Sequence, residues 1–333
     1  KDGQALRAWM DDGWVRCELG GEYRCARWSE PGPSPQPRAW GVVRDLSVAA
    51  DATPRRSPDG RMEAFVRDGS VLLRTLADGS SKVLARDGAD NDFYDPESIT
   101  WSPDSSRFMV LRVRPGDARR VTRVETAPRH QVQPRVRTQL YPKPGDAVDS
   151  DRPVIFEVAS GRRIDVPTTL FPNPYEISAP QFRADGRTLA FRYTERGFQR
   201  VRLIEVDAHT GAARSVVEER SDTFVNSWWH RADFHDVGGR GERIVWMSER
   251  DGWNHLYMID GRSGRLRQLT RGPWVVRHIV KVDEQRGQIW FAGNGREPGD
   301  PYLQHFYRVD FDGGNLRHMT PGDGWHELSL SPD

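Results

Sequence analysis

The chain has 333 residues, 29% of them charged and 36% apolar, enough for a large core in a soluble globular protein. No stretch reaches the roughly 18 apolar residues that a membrane-spanning helix needs. With 49 basic and 48 acidic side chains the net charge is +1, which argues against nucleic acid as the main partner.

The N-terminal part, residues 1–55, reads as irregular partial blades of a β fold. Cys17 and Cys25, in VRCELGGEYRC, flank Gly20-Gly21, a turn pair that would set the two thiols on paired strands. Either a disulfide or two free thiols fits that pattern; a disulfide would suit a periplasmic or secreted protein. The chain lacks an initial Met and a signal peptide, and it stops inside a recurring motif, as a processed fragment would. SEPGPSPQPRAW, from Ser29, reads as a Pro-rich loop, and GVVRDLSVAADATPR, from Gly41, as a blade edge.

From Arg56 onward one plan repeats. RRSPDGRMEAFV, TWSPDSSRFMVL, QFRADGRTLAFR and the terminal LSLSPD each place a Pro/Asp/Gly turn beside an apolar strand. Weaker copies stand at GRGERIVWMS and DEQRGQIWFA. The apolar strands start near Arg61, Ser106, Arg187, Glu242 and Gly287, in steps of 45, 81, 55 and 45 residues. Each is followed by a second strand (SVLLRTL, RVRLIEV, NHLYMID, HFYRVDF), a Gly/Asp turn and a short outer strand. A period near 45 with four short strands per unit predicts an all-β fold, a β-propeller of four-stranded blades. About five whole blades fill 56–320, and 321–333 opens a last one. The long step places an insertion between Arg112 and Pro153, whose core at 121–145 reads as a projecting ribbon.

The segment IVWMSERDGWNHLYMID, 244–260, concentrates Ser248, Glu249, Arg250, Asp251, Trp253, His255 and Tyr257. Its alternation predicts strands at Ile244–Ser248 and Asn254–Ile259 around an Asp251-Gly252 turn. Ile244, Trp246 and Ser248 then share one face, and Val245 and Met247 the other. Ser248 and His255 lie on separate strands with no third group to orient them, so the cluster reads as structural. No G-x-S-x-G elbow, H-E-x-x-H or C-x-x-C occurs, and the chain is expected to carry no catalytic residue, metal or cofactor. His230 and His235 are poorly spaced as ligands, and GNGREPGDPY, from Gly293, reads as a long hairpin, since no helix follows it.

ITWSPDSSRFMVLRV, QLYPKPGDAVDSDRPVIFEV, WMSERDGWNHLYMID and GNGREPGDPYLQHFYRV, in that order, resemble the N-terminal propeller of the dipeptidyl peptidase IV family of serine peptidases. Tyr-Pro-Lys-Pro-Gly at 141–145 and Trp-Met-Ser-Glu-Arg-Asp-Gly at 246–252 carry the likeness. The resemblance implies a C-terminal α/β-hydrolase domain in cis that holds the triad, and a propeller that gates peptides and anchors the substrate's amino terminus. It also implies that the 121–145 arm helps to pair two subunits. In the family the anchor is a pair of glutamates on a short helical insert before the W-S-P turn. Counting back from Trp101 puts Asp90 and Asn91 at that place, with Asp92, Asp95 and Glu97 nearby. The double glutamate is absent, so the candidates are Asp90, Asn91, Asp92 and Glu97. The alternative is a TolB-like propeller scaffold that binds a protein partner.

Overall fold

The computed structural model describes Ala5–Met10, Gly13–Glu18, Cys25–Arg27 and residues 43–44, 53–226 and 234–328. The expected Pro-rich loop, the Gly20-Gly21 turn, most of the 41–55 blade edge, His230 and residues 329–333 of the last blade expected from 321 lie outside the described residues. The chain divides into two compact units, one formed by 1–51 with 116–148 and the other by 52–115 with 149–333.

In the first unit the strands Ala5–Met10, Gly13–Glu18 and Cys25–Arg27 form an antiparallel sheet in which Cys17 stands opposite Cys25. The insertion forms a two-stranded ribbon, Arg120–Glu125 against Arg135–Leu140. Its base is closed by a bidentate ion pair, with Arg119 Nε and Nη2 at 2.7 and 2.8 Å from the Asp146 carboxylate. Hydrogen bonds from Arg119 and from the Lys143 N–H pull the Asp146 pKa down to about 2.

Among the described residues the second unit holds five antiparallel sheets in chain order. The first contains Arg55–Arg56, Met62–Arg67, Ser70–Thr75 and Ser81–Ala85. The third runs Pro174–Phe182, Thr188–Glu195, Arg200–Asp207 and Ala213–Arg220. Phe234–Val237, Arg243–Ser248, His255–Asp260 and Leu266–Gln268 make the fourth. The fifth comprises Val275–Asp283, Gln288–Asn294, Gln304–Asp310 and Arg317–His318. In the second, Arg107–Arg114, Ser150–Glu157 and Arg163–Asp165 are regular, but the first strand is split into Phe93–Tyr94 and Thr100–Trp101 by a one-turn helix, Pro96–Ser98.

Each second strand begins one residue after its expected start. The turns before them use the chemistry that their sequences predict. The carboxylates of Asp59, Asp104 and Asp185 accept from the N–H groups two residues on, Arg61, Ser106 and Arg187, at 3.0, 3.1 and 2.8 Å. In the first two turns a serine two residues before the aspartate donates to it and closes the strand pair.

Period-two alternation lets the second, third and fourth sheets bury both faces against their sequence neighbours, and the first and fifth one face each. Phe108 and Val110 pack toward the first sheet, whereas Met109, Leu111 and Val113 pack toward the third. Ile244 and Trp246 join Leu203 and Val217 of the third sheet; Val245 and Met247 join Ile289 and Phe291 of the fifth. The split of faces expected for 244–248 is therefore observed. A second device also repeats. A basic side chain at the outer edge of one sheet donates to a turn carbonyl of the next: Lys82 to Ser160 O at 3.1 Å, Arg162 to His209 O at 3.1 Å, Arg214 to Gly261 O at 2.7 Å and Arg267 to Phe311 O at 2.7 Å. Four-stranded sheets that cover one another in chain order make a β-propeller.

Candidate functional site

Topology decides where a site can form. In an antiparallel sheet of four strands in order, the hairpin from second to third strand and the exit to the next sheet leave from the same end. In this unit that end gathers the connection after Ala85, the hairpins 195–200, 249–254 and 295–303, and the connections after Arg220 and Gln268. Such loops are the variable, functional parts of a rigid scaffold.

The connection after Ala85 carries all the anchor candidates. Gly88 is fixed to the first sheet, its N–H donating to Gly69 O at 3.0 Å. Ala89 and Asp92 exchange two backbone hydrogen bonds, which puts Asp90 and Asn91 at the tip of a tight turn, both exposed. Asp92 points back into the unit, where its carboxylate meets Arg112 Nε at 3.0 Å and the Arg152 guanidinium. Burial alone would raise the Asp92 pKa, but Arg112 and Arg152 outweigh it and hold the carboxylate ionised below its usual range.

Asp87 continues the same network. It accepts from Tyr94 Oη at 2.8 Å, from Arg163 Nη1 at 2.7 Å and from Arg112, whose guanidinium also lies over the Tyr94 ring. Partial burial opposes ionisation of Asp87, and the three donors override it, so its pKa falls far below the usual carboxylate value. Burial, reinforced by the Asp87 hydrogen bond, pushes Tyr94 up to about 12. Arg163 is shared with Asp165. Three arginines and three aspartates balance one another here.

Glu97 lies apart from this balance. It sits on the Pro96–Ser98 turn, whose backbone is held from both sides. The Asp95 carboxylate accepts the Glu97 N–H at 3.0 Å, the Asp95 N–H donates to Leu111 O at 2.9 Å, and the Leu111 N–H donates to Ser98 Oγ at 2.8 Å. The Glu97 side chain is exposed. The structure thus separates the four candidates into two exposed carboxylates, Asp90 and Glu97, one exposed amide, Asn91, and one carboxylate consumed by arginines, Asp92.

A cavity of about 470 Å³ opens between the third and fourth sheets at the same end. The polar run from Ser248 forms one wall. Glu219, partly buried, is its hub and accepts from Trp246 Nε1 and Ser248 Oγ, both at 2.8 Å, and from Arg250. Ser248 and His255 face each other in register, but their side chains bond elsewhere. The His255 ring is buried between Thr270 Oγ1 and Gly272 O, each at 3.0 Å, and packs edge-on against Trp274. The two residues form no catalytic pair. Among the described residues no group of three or more His, Cys, Asp or Glu is arranged to hold a metal ion, and no helix is long and apolar enough to cross a membrane.

Arg112, Arg152 and Glu219 were not read from the sequence as site residues. Each is an ordinary strand position, and only the fold brings it to its partner, 20, 60 and 29 residues away respectively.

Residues 33–333 match the model of the dipeptidyl peptidase IV N-terminal region. The chain is 26% identical to a probable dipeptidyl-aminopeptidase B of Neosartorya fischeri, over 88% of this chain and 36% of that protein. It is 24% identical to a dipeptidyl peptidase 4 of Trichophyton tonsurans, over 80% of this chain and 36% of the relative. The chain thus spans little more than a third of the length of these curated relatives. The crystal structure of Porphyromonas gingivalis dipeptidyl peptidase 4 matches in fold with a TM-score of 0.62 at 20% identity, over 81% of this chain and 38% of that one. With a match across more than half of its length, the chain belongs to the dipeptidyl peptidase IV N-terminal region family.

Proposed function

We propose that the chain is the non-catalytic, substrate-gating propeller of a dipeptidyl-peptidase-IV-like serine exopeptidase, acting beside a hydrolase domain in cis. Its role is to hold the free amino terminus of a peptide at the end of the unit that carries the 86–98 connection. One observation carries this reading: Glu97 presents an exposed carboxylate from a backbone pinned at Asp95, Ser98 and Leu111, on the one-turn helix that interrupts an otherwise regular strand. A rigid acid facing an ammonium group gives charge pairing and selects for a free terminus. Asp90 supplies a second negative charge in the same connection. Asp92 is assigned to holding the connection in place, because its charge is already spent on Arg112 and Arg152.

The ribbon would pair two subunits through its exposed Val124 and Val136, which stand opposite each other in register. The facing positions of Cys17 and Cys25 suit an oxidising compartment, periplasmic or extracellular.

The test uses the natural full-length protein and a dipeptidyl p-nitroanilide with a free or an acetylated amino terminus. Glu97→Gln is expected to lower kcat/KM for the free substrate by at least roughly tenfold, the loss of one charge-assisted hydrogen bond. Unchanged kcat/KM in both Glu97→Gln and Asp90→Asn would refute the anchor. The 333-residue chain alone is expected to release no p-nitroaniline.

A further inference from the structure

The cavity between the third and fourth sheets contains charges that the anchor does not use. Arg250 is neutralised by Glu219, and the buried Arg192 pairs with Glu176 at 3.3 Å. Glu219 is saturated by its three donors. Glu249, exposed on the same wall, forms no ion pair among the described residues, and Arg220 also lines the cavity. Crowding by the surrounding protein, and then the negative charge of Glu219, hold its pKa above the usual glutamate value. A carboxylate disfavoured in this way gains from any cation that reaches it.

The rest of the lining says what should carry that cation. Phe224, about half exposed, and Val225 line the same cavity as Glu249 and give its largely polar surface an apolar patch. Phe224 is itself held against Phe198, the two rings tilted with centroids 5.3 Å apart. An apolar stem ending in a cation is the chemistry of a lysine or arginine side chain, which lays its methylenes on apolar surface and keeps its charged head at a polar rim. The volume of about 470 Å³ lies in the range of small-ligand sites and has room for such a side chain with part of its backbone.

We propose that this cavity receives a basic side chain of the bound peptide, with its stem on Phe224 and Val225 and its head on the Glu249 carboxylate. The ligand class rests on the proposed handling of peptides; the site itself is separate from the amino-terminal anchor. Glu249 is then a specificity residue, selecting peptides with arginine or lysine at one position.

The test is calorimetric binding to the natural full-length protein of acetyl-Ala-Arg-Ala-amide and of its neutral, nearly isosteric citrulline twin. Both ends are blocked, so the anchor at Glu97 takes no part, and failure here is distinguishable from failure of the peptidase reading. The arginine peptide should bind roughly tenfold more tightly than the citrulline peptide, as one charge-assisted contact allows. Glu249→Gln should bring the two within about twofold by weakening only the arginine peptide, and Glu249→Asp should restore part of the difference. No preference in the natural protein would overturn the proposal. So would a preference that survives Glu249→Gln, an equal loss for both peptides, or a difference removed by Arg220→Gln instead.

Discussion

Asp87 shows how a single carboxylate can organise the approach to a site. It receives Tyr94, Arg112 and Arg163, residues of three different strands, and its own connection leads into the turn that carries Asp90. Its folded pKa is depressed, so the stability that it contributes is complete above the unfolded aspartate value near 4 and is lost as pH falls below it. Asp87→Asn should therefore lower Tm at pH 7 and flatten the fall of Tm between about pH 4 and pH 2. Thermal melts of both proteins across that range check this. A variant whose melting profile parallels the natural one would show that the carboxylate is merely solvated. Because half of the Asp87 side chain is open to solvent, the effect should be modest and should shrink in high salt.

At the level of the element, the 86–98 connection owes its position to two glycines. A Cβ on Gly88 would stand 2.4 Å from Gly69 O, and Gly69 itself has a φ of +69°, so neither backbone can yield cheaply. Gly88→Ala should cost about 1–3 kcal/mol, the usual penalty of overpacking, and should displace the turn at Asp90 and the start of the inner strand. On the proposed function, the expected signature in the natural full-length protein is a loss of peptide turnover larger than the loss of stability explains. Denaturant titration beside kinetics separates the two, and equal losses would contradict a positioning role. The blade elements were legible in the sequence, since Asp-Gly turns and period-two alternation act within a dozen residues. The split inner strand was not. Phe93–Tyr94 and Thr100–Trp101 are each two residues long, too short to show alternation, and they are strands only because Arg107–Arg114 offers them partners. Likewise, nothing local distinguishes Asp92 from Asp90; Arg152, 60 residues away, consumes one and leaves the other exposed.

For the whole molecule, the successive apolar clusters imply that no sheet of the second unit is stable alone, because each buries its faces only on its neighbours. Phe291 is fully buried in the cluster shared by the fourth and fifth sheets, stacked on Tyr307 and Trp274 with ring centroids at 5.6 and 6.2 Å. Phe291→Ala should cost about 3–5 kcal/mol, the range for a buried aromatic ring. Because the clusters run in sequence through the stack, hydrogen exchange should rise first in the fourth and fifth sheets and last in the first.

The ribbon answers to different physics. Its strands Arg120–Glu125 and Arg135–Leu140 belong to the other compact unit, and Val124 and Val136 are 56% and 65% exposed. Two strands with one apolar pair are marginal by themselves, so the ribbon has something to gain from a second copy. If the ribbon pairs two subunits as proposed, Val124→Arg with Val136→Arg should leave Tm within a few degrees of the natural protein, as changes at exposed positions do, while lowering its mass in sedimentation from dimer to monomer. A double variant that stays dimeric would remove the ribbon from the interface. One that melts far lower would mean that the valines support the fold rather than an assembly.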